Sequence, residues 1–213
     1  MSGKKQILDV QHIHMRFNSK GVCVRAVTDV SFTVNEGETI GIVGESGCGK
    51  TTLGRCIVRA YEPSEGEVFY TAEDGETVNF TKIDAKTMKK YRKEIQMIFQ
   101  DPYSSLDPRM TVYDIIKEPL AANFPRMPKS EMDRRIMDIA AKVGLNTSYL
   151  MRYPHAFSGG QRQRIGIARA LVLNPRVIVC DESVSALDVS IQAQVINLLH
   201  DLQKEFALTY LFI

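Results

Sequence analysis

Two stretches of this sequence carry the groups needed to hold a nucleoside triphosphate and attack its terminal phosphate. Gly44, Glu45, Ser46, Gly47, Cys48, Gly49, Lys50 and Thr51 fit the pattern G-x-x-x-x-G-K-[ST] of a phosphate-binding loop. Glycine lacks a Cβ, so Gly44, Gly47 and Gly49 are expected to take positive φ and turn successive backbone N–H groups toward phosphate oxygens. Lys50 would reach the β- and γ-phosphates as a point charge, the Thr51 hydroxyl would ligate Mg²⁺, and Thr52 continues the binding segment. The plainer reading is a glycine-rich turn that caps an ordinary helix.

The second stretch is the apolar run Val177, Ile178, Val179 and Cys180, which ends in Asp181 and Glu182. A continuous apolar run of this length suits a buried parallel strand, and ligands of α/β folds bind at the carboxyl ends of such strands. Asp181 is therefore a candidate at Mg²⁺, directly or one shell out. Glu182 is a candidate to orient the attacking water or accept its proton. Two acids at a strand end also serve simply as a strand terminus and helix cap. Upstream, Ser158, Gly159, Gly160 and Gln161 read as a capping box, the serine capping and the glutamine reaching back. Capping does not account for two glycines in a first helical turn, each costing about 1 kcal/mol; bare glycines there would let another anion approach.

These groups need elements to hold them. Glu38 to Val43 reads as a short buried strand and Lys50 to Ala60 as a helix, which puts the glycines in a strand-to-helix turn. Ile7 to Phe17 and Cys23 to Val34 read as strands of an antiparallel sheet, and Gly66 to Tyr70 with Glu76 to Phe80 as a hairpin. Glu94 to Phe99 is an apolar run ending in Gln100. Helical periodicity follows at Thr111 to Leu120, Lys129 to Val143 and Gly159 to Leu173, so residues 101–157 are expected to form an inserted helical lobe. Ile191 to Phe206 reads as a helix and Leu208 to Ile213 as a strand. A single domain spanning 1–213 is expected, with residues 1–100 holding sheet and nucleotide core, and 158–213 returning to the core.

With 213 residues, of which 44% are hydrophobic, the chain can build a sizeable core. Its 27 basic and 25 acidic residues leave a formal net charge of +2, too even to argue for nucleic acid as a partner. No apolar run reaches the length of a membrane span and no signal-peptide core opens the sequence, so a cytoplasmic protein is expected. The four cysteines, Cys23, Cys48, Cys56 and Cys180, have neither zinc-site nor disulfide-framework spacing.

With both motifs in view, the chain resembles the ATP-binding cassette ATPases, the nucleotide-binding subunits of ABC transporters. Phe99 to Met110, Tyr153 to Arg164 and Val184 to Val195 are similar to the oligopeptide, dipeptide and nickel importer ATPases, most closely the F-type subunit. The resemblance implies a P-loop NTPase (RecA-like) α/β core with an N-terminal antiparallel β-subdomain and an inserted α-helical subdomain. It also implies that Gln100 is the Q-loop glutamine, acting in catalysis with Glu182 and Lys50 and at Mg²⁺ with Thr51 and Asp181. Ser158 to Gln161 would be the signature that touches ATP on a partner subunit, Ser185 to Asp188 the D-loop, and Phe17 the aromatic that stacks on adenine. Phe17 can equally be a strand-end core aromatic, and Gln100 a polar strand terminus.

By the same resemblance, ATP and Mg²⁺ are bound and two ATPase subunits, identical or not, pair head to tail. The pair would serve transmembrane permease subunits and, indirectly, a solute-binding protein, placing it peripherally on the inner face of the cell membrane. Ser183 stands where the family usually has proline. In the family the strand like Leu208 to Ile213 is followed within two residues by a histidine that contacts the γ-phosphate. A sequence ending at Ile213 is accordingly expected to stop inside the domain, with that strand exposed, and to bind ATP better than hydrolyse it. A non-transport ABC ATPase and a non-catalytic fragment are the other readings.

Overall fold

The computed structural model describes residues 5–19, 21–101, 103–182 and 188–213. In chain order its elements are β1 (Gln6–Ser19), β2 (Val22–Asn35), β3 (Thr39–Gly41), α1 (Lys50–Ile57), β4 (Glu65–Thr71), β5 (Thr77–Asn79), α2 (Ala85–Tyr91) and β6 (Ile95–Ile98). There follow α3 (Val112–Asn123), α4 (Lys129–Lys142), α5 (Gly159–Leu171), β7 (Val177–Cys180), α6 (Val189–Phe206) and β8 (Thr209–Phe212), with short 3-10 turns at Thr147–Tyr149 and Pro154–Ala156.

The strands form two sheets. One is antiparallel, in the order β2-β1-β4-β5; the other is parallel, in the order β3-β8-β7-β6. β7 is buried along its whole length, as its uninterrupted Val177, Ile178, Val179 and Cys180 demand of a strand covered on both faces. The expected exposure of the strand at Leu208 to Ile213 is overturned. β8 lies between β3 and β7, with Tyr210 and Leu211 essentially inaccessible, and is not an exposed edge. The apolar sequence Tyr210, Leu211, Phe212 was a sign of a central strand, because only a covered position can bury both its faces.

A buried set comprising Ile7, Val34, Leu53, Ile57, Tyr70, Phe80, Val179 and Leu211 joins the antiparallel sheet and α1 to one face of the parallel sheet. A second set, including Ile116, Ile136, Ile165, Ile178, Leu199 and Tyr210, joins α3, α4, α5 and α6 to the other. Both faces of the parallel sheet are thus covered at β6, β7 and β8, whereas β3, expected to be buried, lies at the edge with Thr39 and Gly41 exposed. α2 had no counterpart in the periodicity reading: it spans two turns, buries only Met88 and Tyr91, and is started by the Asp84 carboxylate accepting from the Thr87 amide. β3 is also shorter than the apolar pattern suggested, since Val43 is 92% exposed at the mouth of the glycine loop.

Candidate nucleotide-binding site

β3 hands the chain to the glycine loop and α1 takes it up, so the loop sits where the amides of α1's first turn have no helical partner. Gly47 and Gly49 have φ of 79° and 101°, open to glycine and strained for other residues. Gly44 departs from expectation: its φ is not positive. What it needs is space, because a Cβ there would lie 2.8 Å from the Cys48 Sγ. Gly49 needs both, since its Cβ would sit 1.8 Å from the Ala26 carbonyl oxygen of β2. No acidic residue occupies the first turn of α1, so its positive end faces outward uncompensated.

Lys50 folds back over the loop, its Nζ donating to the Gly44 oxygen at 3.0 Å and the Glu45 oxygen at 2.7 Å. On the next residue, the Thr51 hydroxyl donates to Asp181 Oδ1 at 2.6 Å, across 130 positions of sequence. Asp181 is 1% exposed at the end of β7 and its amide bonds to the Ile98 oxygen of β6. Beside it, Gln100 Nε2 donates to Glu182 Oε2 at 2.6 Å. The Glu182 backbone has φ of 41°, the left-handed region that a glutamate enters only under constraint, and its amide bonds to the Ile213 oxygen. Lys50, Thr51, Gln100, Asp181 and Glu182 therefore converge at the carboxyl edge of the parallel sheet.

Ser158 to Gln161 starts α5, and its capping box is formed: the Ser158 hydroxyl accepts from the Gln161 amide, and the Gln161 side chain accepts from the Ser158 amide at 3.0 Å. Gly160 has a packing reason of its own, since a Cβ there would lie 2.6 Å from Ile191 Cγ2 of α6. Phe17 is 38% exposed on β1, opposite Val24, and meets Tyr61 edge-on at 5.7 Å. Of the segment Ser185 to Asp188, only Asp188 lies within the described residues; Ser183 lies outside them too.

Periodicity missed two clefts that border this site. One, of about 460 Å³, runs from Arg25, Val27 and Thr28 of β2 to Cys48, Gly49 and Lys50. The other, of about 550 Å³, places Arg55, Gln96 and Arg169 beside Gln100 and Asp181. No local signal marks Arg25, Val27, Thr28, Gln96 or Arg169, because each reaches the cleft through pairing or packing of distant segments.

A parallel sheet covered by helices, an adjoining antiparallel sheet and a glycine loop between strand and helix define a P-loop nucleotide-binding cassette. The chain belongs to the ABC transporter family, whose model matches residues 27–185. The oligopeptide transport ATP-binding protein OppF of Bacillus subtilis (strain 168) is 52% identical over 209 residues, covering 98% of this chain and 67% of its own length. The oligopeptide transport ATP-binding protein AppF of the same organism is 54% identical over 197 residues, covering 92% and 58%. The chain thus spans 58% to 67% of the length of these curated relatives. Among solved structures, the dimeric post-hydrolysis state of the ATP-binding cassette MJ0796 bound to ADP and Pi matches with a TM-score of 0.84 at 27% identity, over 97% of this chain and 87% of that one.

Proposed function

We propose that this chain binds and hydrolyses ATP to power import of peptides or related small solutes through an ABC transporter. The observation that carries the reading is the paired contact at the sheet edge, Thr51 to Asp181 and Gln100 to Glu182, each 2.6 Å, directly beneath the glycine loop. The similarity to OppF and AppF, oligopeptide transport ATP-binding proteins, supports the transport half of the proposal.

In this reading the amides of Glu45 to Thr51 and the N-terminus of α1 bind the phosphates, and Lys50 exchanges its two loop carbonyls for phosphate oxygens. Glu182 orients water toward the γ-phosphorus and takes its proton as the bond to the ADP oxygen breaks; Gln100 holds that carboxylate in place. Hydroxyl, carboxylate and amide oxygens from Thr51, Asp181 and Gln100 are the hard donors that suit Mg²⁺, and these residues would hold it. Bound there, the ion would neutralise charge on the β- and γ-phosphates. Phe17 packs on the adenine. Ser158, Gly159, Gly160 and Gln161 face ATP on a second subunit paired head to tail. Among the described residues no helix is long and apolar enough to cross a membrane. In this reading the chain docks from the inner face on separate permease subunits.

The test is binding of a fluorescent ATP analogue with and without Mg²⁺, together with co-purification of tagged protein with its membrane subunits. Lys50→Ala should weaken binding by about 1.5–3 kcal/mol, the value of a charge-assisted hydrogen bond. Near-normal affinity in that variant would remove the glycine loop from the site, and failure to co-purify would remove the transport assignment.

A further inference from the structure

The segment that carries Gln100 leaves β6 and runs to Ser105 before α3 begins. Besides the Gln100 contact to Glu182, it bonds within itself: the Tyr103 amide donates to Asp101 Oδ1 at 2.7 Å and the Ser105 amide to the Asp101 oxygen at 3.1 Å. Three further contacts come from one element, the helix α5. The Arg169 guanidinium donates from Nη1 to the Ser105 oxygen at 2.6 Å, and its carbon lies 5.9 Å from the centre of the Phe99 ring. One face of the same helix two turns earlier places the Arg162 guanidinium 4.2 Å from the centre of the Tyr103 ring. Residues seven apart on a helix fall within about 20° of one another, so both arginines project from one stripe.

Arg162 is in turn fixed at the head of the helix. Its Nε donates to the Phe157 oxygen at 3.0 Å and its Nη2 to the His155 oxygen at 3.4 Å, immediately before Ser158. Arg169 has no carboxylate partner within ion-pair distance among the described residues, and burial lowers its pKa against the weaker opposing pull of Glu118. A half-buried cation spent on a carbonyl oxygen and a ring is costly as mere scaffolding. Phe99, Tyr103 and Ser105 are thus gripped before, within and after the loop, all from the helix whose first turn is Ser158 to Gln161.

We infer that Arg169, assisted by Arg162, clamps the Gln100 loop to α5 and is a positioning residue for Gln100. Movement of the signature end of α5 is then transmitted to the Gln100–Glu182 contact through the two arginines. The inference rests on the ATPase reading above and deepens it.

Arg169→Met keeps the buried stem and loses the donor, while Arg169→Lys restores a donor without the planar fork. In the full chain, hydrogen–deuterium exchange across peptides spanning 99–105 should quicken about tenfold in Arg169→Met as local opening becomes easier, with β6 and β7 unchanged and the lysine variant intermediate. Affinity for the ATP analogue should stay within about twofold, while kcat falls about 10- to 100-fold, the scale of an ångström-sized misplacement. In a Gln100→Ala background, Arg169→Met should lower kcat by no more than about twofold further, because the two changes remove one function.

Unchanged loop exchange overturns the clamp, and multiplicative losses in the double variant overturn the positioning role. Absence of ATP turnover in the unsubstituted chain would instead sink the ATPase reading, and loop exchange alone would then decide whether the clamp holds.

Discussion

At the scale of single residues, the site is built from groups that hold one another. Asp181 is buried with the Thr51 hydroxyl as its donor, so the pair that would serve Mg²⁺ also satisfies a buried carboxylate. Thr51→Val preserves shape but strips that donor, and should lower unfolding free energy in urea by about 1–3 kcal/mol, whereas Thr51→Ser should stay near the parent value. Equal stability of the valine variant would mean that the carboxylate is satisfied in another way. Glu182 is the complementary case, a glutamate in left-handed backbone conformation. Glu182→Gln changes neither φ nor length and should leave melting temperature and ATP affinity alone while cutting turnover by about 10²-fold or more, as expected for loss of a positioned base. Retained turnover would take Glu182 out of the chemistry.

At the scale of elements, the junction between α5 and α6 sets where the first turn of α5 sits. Ser158 and Gln161 close a capping box, and Gly160 allows Ile191 to pack against the same turn. Ser158→Ala should cost about 1 kcal/mol of stability, the usual value of a lost N-cap. Gly160→Ala should cost about 1–3 kcal/mol through overpacking, despite alanine's better helix propensity, since Ile191 must shift. Chemical denaturation separates the two explanations: if Gly160→Ala is neutral or stabilising, the glycine is there for a ligand and not for Ile191. Gly160 thus has a structural reason that the motif alone did not suggest.

At the scale of the whole molecule, acid should weaken the helical lobe. Hydrogen bonds from Arg134 and Arg135 hold the Glu131 carboxyl down at about 2, and Arg109 together with its amide holds Asp107 at about 2. Both folded-state values lie below the unfolded ones, so their contribution is complete above the unfolded pKa and is lost as pH falls from about 4.5 toward 2. Because these carboxylates are exposed, solvent and salt screen the effect. Melting temperature measured between pH 5 and 2.5 should fall less steeply in Glu131→Gln than in the parent, and less steeply still for both in high salt. An identical slope would show that Glu131 is not among the groups that titrate on unfolding.

What the sequence determined by itself was local chemistry and local geometry. The glycine spacing around Lys50 identified the loop, the run Val177 to Cys180 matched β7 residue for residue, and Ser158 with Gln161 announced a helix start, because each depends only on near neighbours. Tertiary structure decided everything that depends on which strands lie side by side. It placed β8 in the middle of the parallel sheet, brought the Ala26 carbonyl against Gly49, and set Thr51 on Asp181 across 130 positions. It also used two arginines of α5, indistinguishable in sequence from a solvated charged stripe, to hold the loop of Gln100. The physical reason is that periodicity reports which face of an element is covered but carries no record of the element that covers it.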